Sequence, residues 1–216
     1  MTPPGGPTAS PSLLARWLDR AEELVYRLNE RNHWIFRVWD LGNELWARLA
    51  FRGVRRRAAR IDAIVAGKTG AKCRFRFLTP RDDEDFARLL GGLTARYLPP
   101  HPLDPASARR ALRRASYLPF GIFVDERLVG YLLLRLFFPR RIVTGIWTLP
   151  ETHNVGFGQE CLRRTAAFSR EEGIADYATI PLDNRNSVRM ANAAGWNVIR
   201  TNRRFHVLLR DGVAKP

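Results

Sequence analysis

Residues 147–162 read Trp147-Thr148-Leu149-Pro150-Glu151-Thr152-His153-Asn154-Val155-Gly156-Phe157-Gly158-Gln159-Glu160-Cys161-Leu162, and their reading decides the fold. A strand-like segment ends at a proline, passes through a polar turn and enters a helix that begins on two glycines. The first turn of a helix leaves backbone N–H groups unpaired at the positive end of its dipole, so it attracts anions. Glycines there let a diphosphate approach the backbone with no Cβ in the way. Pro150 has no N–H, so a neighbouring strand stops pairing beside it and a gap opens. Two glycines also serve a plain strand-to-helix turn, and only the surrounding sequence separates the two readings.

Downstream, helical periodicity over 156–172 ends at Gly173 and a strand follows over 175–180. A helix over 185–194 ends at Gly195, and strands over 196–200 and 204–210 close a sheet. Upstream, 73–78 predicts a short strand and 81–97 a helix whose acidic start, Asp82-Asp83-Glu84-Asp85, suits the positive end of the dipole. Tyr97-Leu98-Pro99-Pro100-His101-Pro102 is a proline-stiffened loop before a short helix over 105–115. Residues 120–124 and 127–138, joined by Asp125-Glu126, predict a hairpin, and 141–149 a third antiparallel strand. The expected class is mixed α/β: a mostly antiparallel mixed sheet flanked by helices and preceded by a helical extension.

A second telling segment is Asn184-Arg185-Asn186-Ser187-Val188-Arg189-Met190-Ala191-Asn192-Ala193-Ala194-Gly195-Trp196. Together with His153-x-x-Gly156-x-Gly158, it resembles the GNAT superfamily of acyl-CoA-dependent N-acetyltransferases. That superfamily has a diphosphate loop Arg/Gln-x-x-Gly-x-Gly/Ala after a strand ending near Pro-Glu, then an Asn-x-x-Ala/Ser … Gly-Phe segment. The resemblance covers roughly residues 73–210 and implies the GNAT fold, with acetyl-CoA as co-substrate and no metal. Strands 142–149 and 175–180 would then splay around the pantetheine arm. The implied cofactor-binding residues are Trp147, Thr148, Leu149, His153, Asn154, Val155, Gly156, Phe157, Gly158, Asn184 and Ser187. Direct attack by a neutral amine passes through a tetrahedral oxyanion, so holding the acceptor beside the thioester supplies much of the rate.

Two positions depart from that pattern. The first loop position, usually Arg or Gln, is His153, which donates fewer hydrogen bonds than Arg. The position that often carries a Tyr acid, seven residues after Asn184, is Ala191. Residues 141–149 also contain no Asp or Glu to act as a base. Tyr131, His101, Glu126 and His206 are the remaining catalytic candidates. Against each stands a plain role: Tyr131 as a packed strand aromatic, His101 and Glu126 as solvated loop residues, His206 on a strand surface.

The chain has 216 residues, with 36 Lys+Arg against 21 Asp+Glu, so it carries a net charge of +15 and attracts anions. Residues 1–11 read as a loose Pro/Gly tail, 12–66 as a basic amphipathic helical extension, 67–72 as a linker and 73–216 as the acyltransferase domain. In the extension, Gly42 and Gly53 mark expected breaks, and Trp17, Trp34, Trp39 and Trp46 lie among arginines. That composition suits either contact with a membrane surface or packing on the domain or a second copy. The run from Arg52 to Arg60 holds five arginines in nine residues. It reads as a solvated face, since no sequence-reading motif for nucleic acid accompanies it. Two cysteines, Cys73 and Cys161, suggest a reducing compartment, hence the cytoplasm, at most at a membrane periphery.

The leading expectation is an N-acyltransferase moving acetyl from acetyl-CoA to a primary amine of a small molecule or peptide. Arg109, Arg110, Arg113 and Arg114 suggest an anionic acceptor. The alternatives are a GNAT-like module that binds CoA or a partner without transfer, and a scaffold acting through 12–66.

Overall fold

The computed structural model of the chain describes residues 33–92, 105–138 and 141–210. The expected tail over 1–11, Trp17 and the whole proline loop over 97–102 with His101 lie outside the described residues. Two units divide the chain, Met1–Gly42 and Asn43–Pro216. The described part of the first is helical and forms the start of α1, His33–Ala50. Gly42 sits inside this helix and does not break it; the break falls at Phe51, before α2, Arg52–Ala58.

The helical expectation fails after α2. Residues Asp62–Ala66 form strand β1, which pairs antiparallel with β2, Lys72–Phe77, from Asp62↔Arg76 to Ala66↔Lys72. The expected linker is the turn of this hairpin, closed by Gly67 N donating to Ala71 O at 2.8 Å. Gly70 supplies the left-handed residue of the turn at φ +80°. Only Val65 of β1 is buried, so this edge strand carries too short an apolar alternation to reveal its period in sequence.

After β2 come α3 (Asp83–Gly91), α4 (Pro105–Arg113), β3 (Tyr117–Val124), β4 (Arg127–Phe137) and β5 (Arg141–Thr148). Helix α5 (Phe157–Glu171), β6 (Ala175–Pro181), α6 (Arg185–Ala193), β7 (Trp196–Thr201) and β8 (Phe205–Arg210) complete the chain. The eight strands form one sheet in the order β1-β2-β3-β4-β5-β6-β8-β7. Every neighbouring pair is antiparallel except β5 and β6, which the crossover helix α5 joins in parallel.

Helices α3 and α5 cover opposite faces of the sheet. Phe86 of α3 packs edge-on against Tyr131, which stacks on Trp147 at 4.9 Å. Gly158 of α5 lies beside Ile146, and adjacent strand residues point to opposite faces. Strand β4 is buried from Leu128 to Leu134 and forms the middle of the core.

Polar contacts tie the end of α1 and α2 to the sheet. The Glu44 carboxylate accepts from Ala115 N, Ser116 N and Ser116 Oγ, and Asn43 Nδ2 donates to Leu136 O at 2.9 Å. Arg55 donates to Leu112 O, Arg114 O and Tyr117 O, so its guanidinium bridges the end of α4 and the start of β3. Arg57 makes a two-pronged ion pair with Glu172. Two arginines of the basic run thus hold the fold together. The outer side of α1 leaves Leu41, Leu45 and Leu49 exposed, one helical turn apart. Among the described residues no helix is long and apolar enough to cross a membrane.

Candidate active site

Strands β5 and β6 share three rungs, Arg141↔Ala175, Ile142↔Asp176 and Val143↔Tyr177, and then part. Beyond Val143, β5 continues on β4 as far as Gly130↔Thr148, while β6 turns to β8 from Tyr177↔Leu209 to Pro181↔Phe205. The β6-facing edge of residues 144–148 is therefore free of strand partners. A wedge opens there, with peptide groups along one wall.

A buried polar cluster closes the narrow end of this wedge. Thr144 Oγ1 donates to Asp176 Oδ1 at 2.6 Å, Ser169 Oγ to Asp176 Oδ2 at 3.4 Å, and Arg210 Nη2 lies 3.1 Å from Asp176 Oδ2. Burial pushes the Asp176 carboxyl up to about 6, against the pull of Arg210, and pushes Arg210 down to about 10. Arg210 also lies over the Trp196 ring, 3.4 Å from its centroid. No sequence signal marks this cluster, because its members come from four separate elements.

At the wide end of the wedge, β5 leads into a short turn of 3-10 helix at Pro150–Thr152. His153 N donates to Pro150 O, and His153 Nε2 donates to Thr148 O at 3.3 Å, so the ring folds back on the strand. Asn154 adopts φ +65° and Gly156 φ +95°, which swings the chain into α5. Gly156 is the N-cap with no side-chain cap, so the amides of the first turn, 157–159, have no intrahelical acceptor.

The glycines serve a purpose the sequence did not reveal. A Cβ on Gly156 would lie 2.8 Å from Lys68 Cγ and 2.9 Å from Lys68 N; one on Gly158 would lie 2.9 Å from Met190 Sδ. Both places are filled by this chain's own atoms, so close packing of α5 against the β1–β2 turn and α6 is by itself a reason for glycine at these two positions. Lys68 N also donates to Val155 O at 2.8 Å. This turn was hidden inside the expected linker, although Gly67-Lys68-Thr69-Gly70 between two strands is a hairpin signal.

Asn184 caps α6, its Oδ1 accepting from Ser187 N at 3.2 Å. Leu149 is buried against Gly92, the residue that follows α3, and the Trp147 ring lies over the bare backbone of Gly145. Thr148 and Val155 line the turn on either side of His153, and Phe157 is buried.

The three described catalytic candidates do not converge. Tyr131 is fully buried on β4, and burial pushes its hydroxyl far above the ordinary value, so it makes a poor base. Glu126 is exposed in the β3–β4 turn at φ +61°, 3.9 Å from Arg74. His206 lies on β8, where Nδ1 bonds Thr201 Oγ1 at 2.9 Å, one strand away from the wedge. The four arginines expected to draw an anion are in part engaged: Arg109 pairs with Asp83 at 3.0 Å, and Arg114 lies over the Tyr117 ring.

A parallel pair that splays, with the uncapped helix joining its two strands, is the arrangement that the resemblance implied. The sequence profile of the Acetyltransferase (GNAT) family matches residues 85–196. The chain belongs to this family and is an acyltransferase of its kind. Among solved structures it is similar to the GNAT domain of S. lividans PAT, with 15% identity, a TM-score of 0.60, and coverage of 68% of this chain and 95% of that one. It is also similar to the paia N-acetyltransferase of Thermoplasma acidophilum in complex with coenzyme A (15% identity, TM-score 0.54, 64% and 98% covered). The ribosomal-protein-S5-alanine acetyltransferase of Vibrio fischeri gives 15% identity and a TM-score of 0.54, over 72% of this chain and 100% of that one. No curated protein matches the chain. The family match begins at residue 85, so the β1–β2 hairpin lies outside it.

Proposed function

We propose that the chain is an N-acetyltransferase that takes acetyl from acetyl-CoA and places it on a primary amine of a peptide or small molecule. The observation that carries this reading is the wedge: three rungs between β5 and β6, then a free edge over 144–148 leading straight to the uncapped start of α5. Coenzyme A fits such a wall, because a pantetheine arm carries amides that pair with a strand edge and a diphosphate suits unpaired helix amides. In this assignment the main chain of 144–148 holds the arm, with Trp147, Thr148 and Leu149 setting that wall. The turn of His153, Asn154 and Val155 aims the amides of Phe157, Gly158 and the following residue at the diphosphate, and Gly156 sets the direction of the helix. Asn184 and Ser187 border the other side of the arm at the start of α6. Bound acetyl-CoA supplies an acyl group already activated as a thioester.

None of the described catalytic candidates belongs to β5, β6, α5 or α6, the elements that bound the wedge. The rate in this account therefore comes from holding the amine against the thioester, with proximity and orientation in place of a dedicated base. Peptide acceptors are included because relatives of the same fold are named ribosomal-protein acetyltransferases. The test is release of free thiol from acetyl-CoA by the purified full chain across a panel of N-terminal peptides, lysine peptides, polyamines and amino sugars. Amine-dependent release supports the reading; coenzyme A binding without release for any amine overturns it in favour of a module that binds without transfer.

A further inference from the structure

The β1–β2 turn sits against the candidate diphosphate loop, and its contacts are too close to be incidental. Lys68 N donates to Val155 O at 2.8 Å, which fixes the Lys68 backbone to the loop. The Lys68 stem occupies the place where a Cβ of Gly156 would be, 2.8 Å from Cγ. From the other side, a Cβ on Gly67 would fall 2.5 Å from Val155 O. Two glycines, one on each partner, thus permit an approach that any side chain would block. The Lys68 side chain is exposed, and among the described residues no carboxylate pairs with its ammonium. The Nε2 proton of His153 is given to Thr148 O, so that nitrogen does not offer it to a phosphate.

We infer that Lys68 is a phosphate-binding residue of this site, its ammonium set by the hairpin turn beside the first amides of α5 to neutralise the diphosphate of coenzyme A. The inference rests on the reading that coenzyme A binds here. The physical division of labour is plain. The helix amides give directed hydrogen bonds, while the lysine gives a full charge on a flexible stem that follows the phosphates as they settle. The hairpin would thereby be an added wall of the cofactor site, joined to it through Val155 and Gly156.

The experiment measures the affinity of the full chain for coenzyme A and for dephospho-coenzyme A, which keeps the diphosphate but lacks the 3′-phosphate. It uses wild type, Lys68→Met and Lys68→Arg at several salt concentrations, with the unfolding midpoint recorded for each. Lys68→Met is expected to weaken both ligands by about fivefold at low salt and to flatten the salt dependence, with Lys68→Arg close to wild type. Equal affinity of wild type and Lys68→Met for both ligands would overturn the inference while leaving coenzyme A binding intact. A loss confined to coenzyme A would overturn it by assigning Lys68 to the 3′-phosphate. A loss that Lys68→Arg fails to restore would assign it a structural role. Wild type that binds neither ligand removes the cofactor reading, and this inference with it.

Discussion

Asp176 and Arg210 lie 3.1 Å apart in the core, yet burial pushes the carboxyl up to about 6 and the guanidinium down to about 10. Desolvation outweighs the pairing, as is common for buried ion pairs. A carboxyl whose folded pKa exceeds its unfolded value adds its full stability below about pH 4, and loses it as pH rises through the folded value. The stability of wild type relative to Asp176→Asn should therefore fall by about 3 kcal/mol between about pH 4 and pH 7, read from urea unfolding. A pH-independent difference would show that Asp176 titrates normally. At the loop, Gly156→Ala forces a Cβ onto a φ of +95° and against the Lys68 backbone, and should cost at least about 1–2 kcal/mol. Gly158→Ala meets the movable end of Met190 and, at an ordinary 3.4 Å, Ile146 Cδ1, and it gains helix propensity, so it should cost less; the reverse order of unfolding midpoints would contradict the packing described. Neither site was legible as such: the sequence shows the glycines but not what fills the space beside them.

Among the elements, α2 departs most from its sequence reading as a solvated basic face. Arg55 ends its reach on three carbonyls from the last turn of α4 to the first residue of β3; Arg114 O keeps a bond from Tyr117 N at 3.3 Å, but truncation takes the charged donor from all three half-buried acceptors. Arg55→Ala should destabilise the fold by about 2–3 kcal/mol in denaturant unfolding and speed amide exchange around residues 112–117. A change within about 0.5 kcal/mol would mean that the contact is incidental. Periodicity could not reveal this role, since an arginine that clamps and one that is solvated occupy the same place in a helical pattern. The same limit hid β1, whose five residues bury one side chain, whereas the long apolar run of β4 and the glycine stops after α5 and α6 were plain.

For the whole molecule, the order of strands and helices from residue 73 onward was readable from apolar periodicity and its turn residues, two motifs fell on the elements so placed, and the family match over 85–196 agrees. A gap beside this strand was read from Pro150, but where it begins was not: the β5–β6 pairing already stops after Val143↔Tyr177, a property of register rather than composition. Nor was the joining of the basic helices and the β1–β2 hairpin to the acyltransferase sheet, which depends on contacts far apart in sequence. A net charge of +15 favours an anionic co-substrate without choosing where it binds. The choice of place rests on the free edge of β5 and the amides that begin α5. Hydrogen–deuterium exchange of the full chain with and without coenzyme A reads both at once. Slowed exchange concentrated at 144–148 and 155–160 is the predicted result; unchanged exchange there, or protection elsewhere alone, would contradict it.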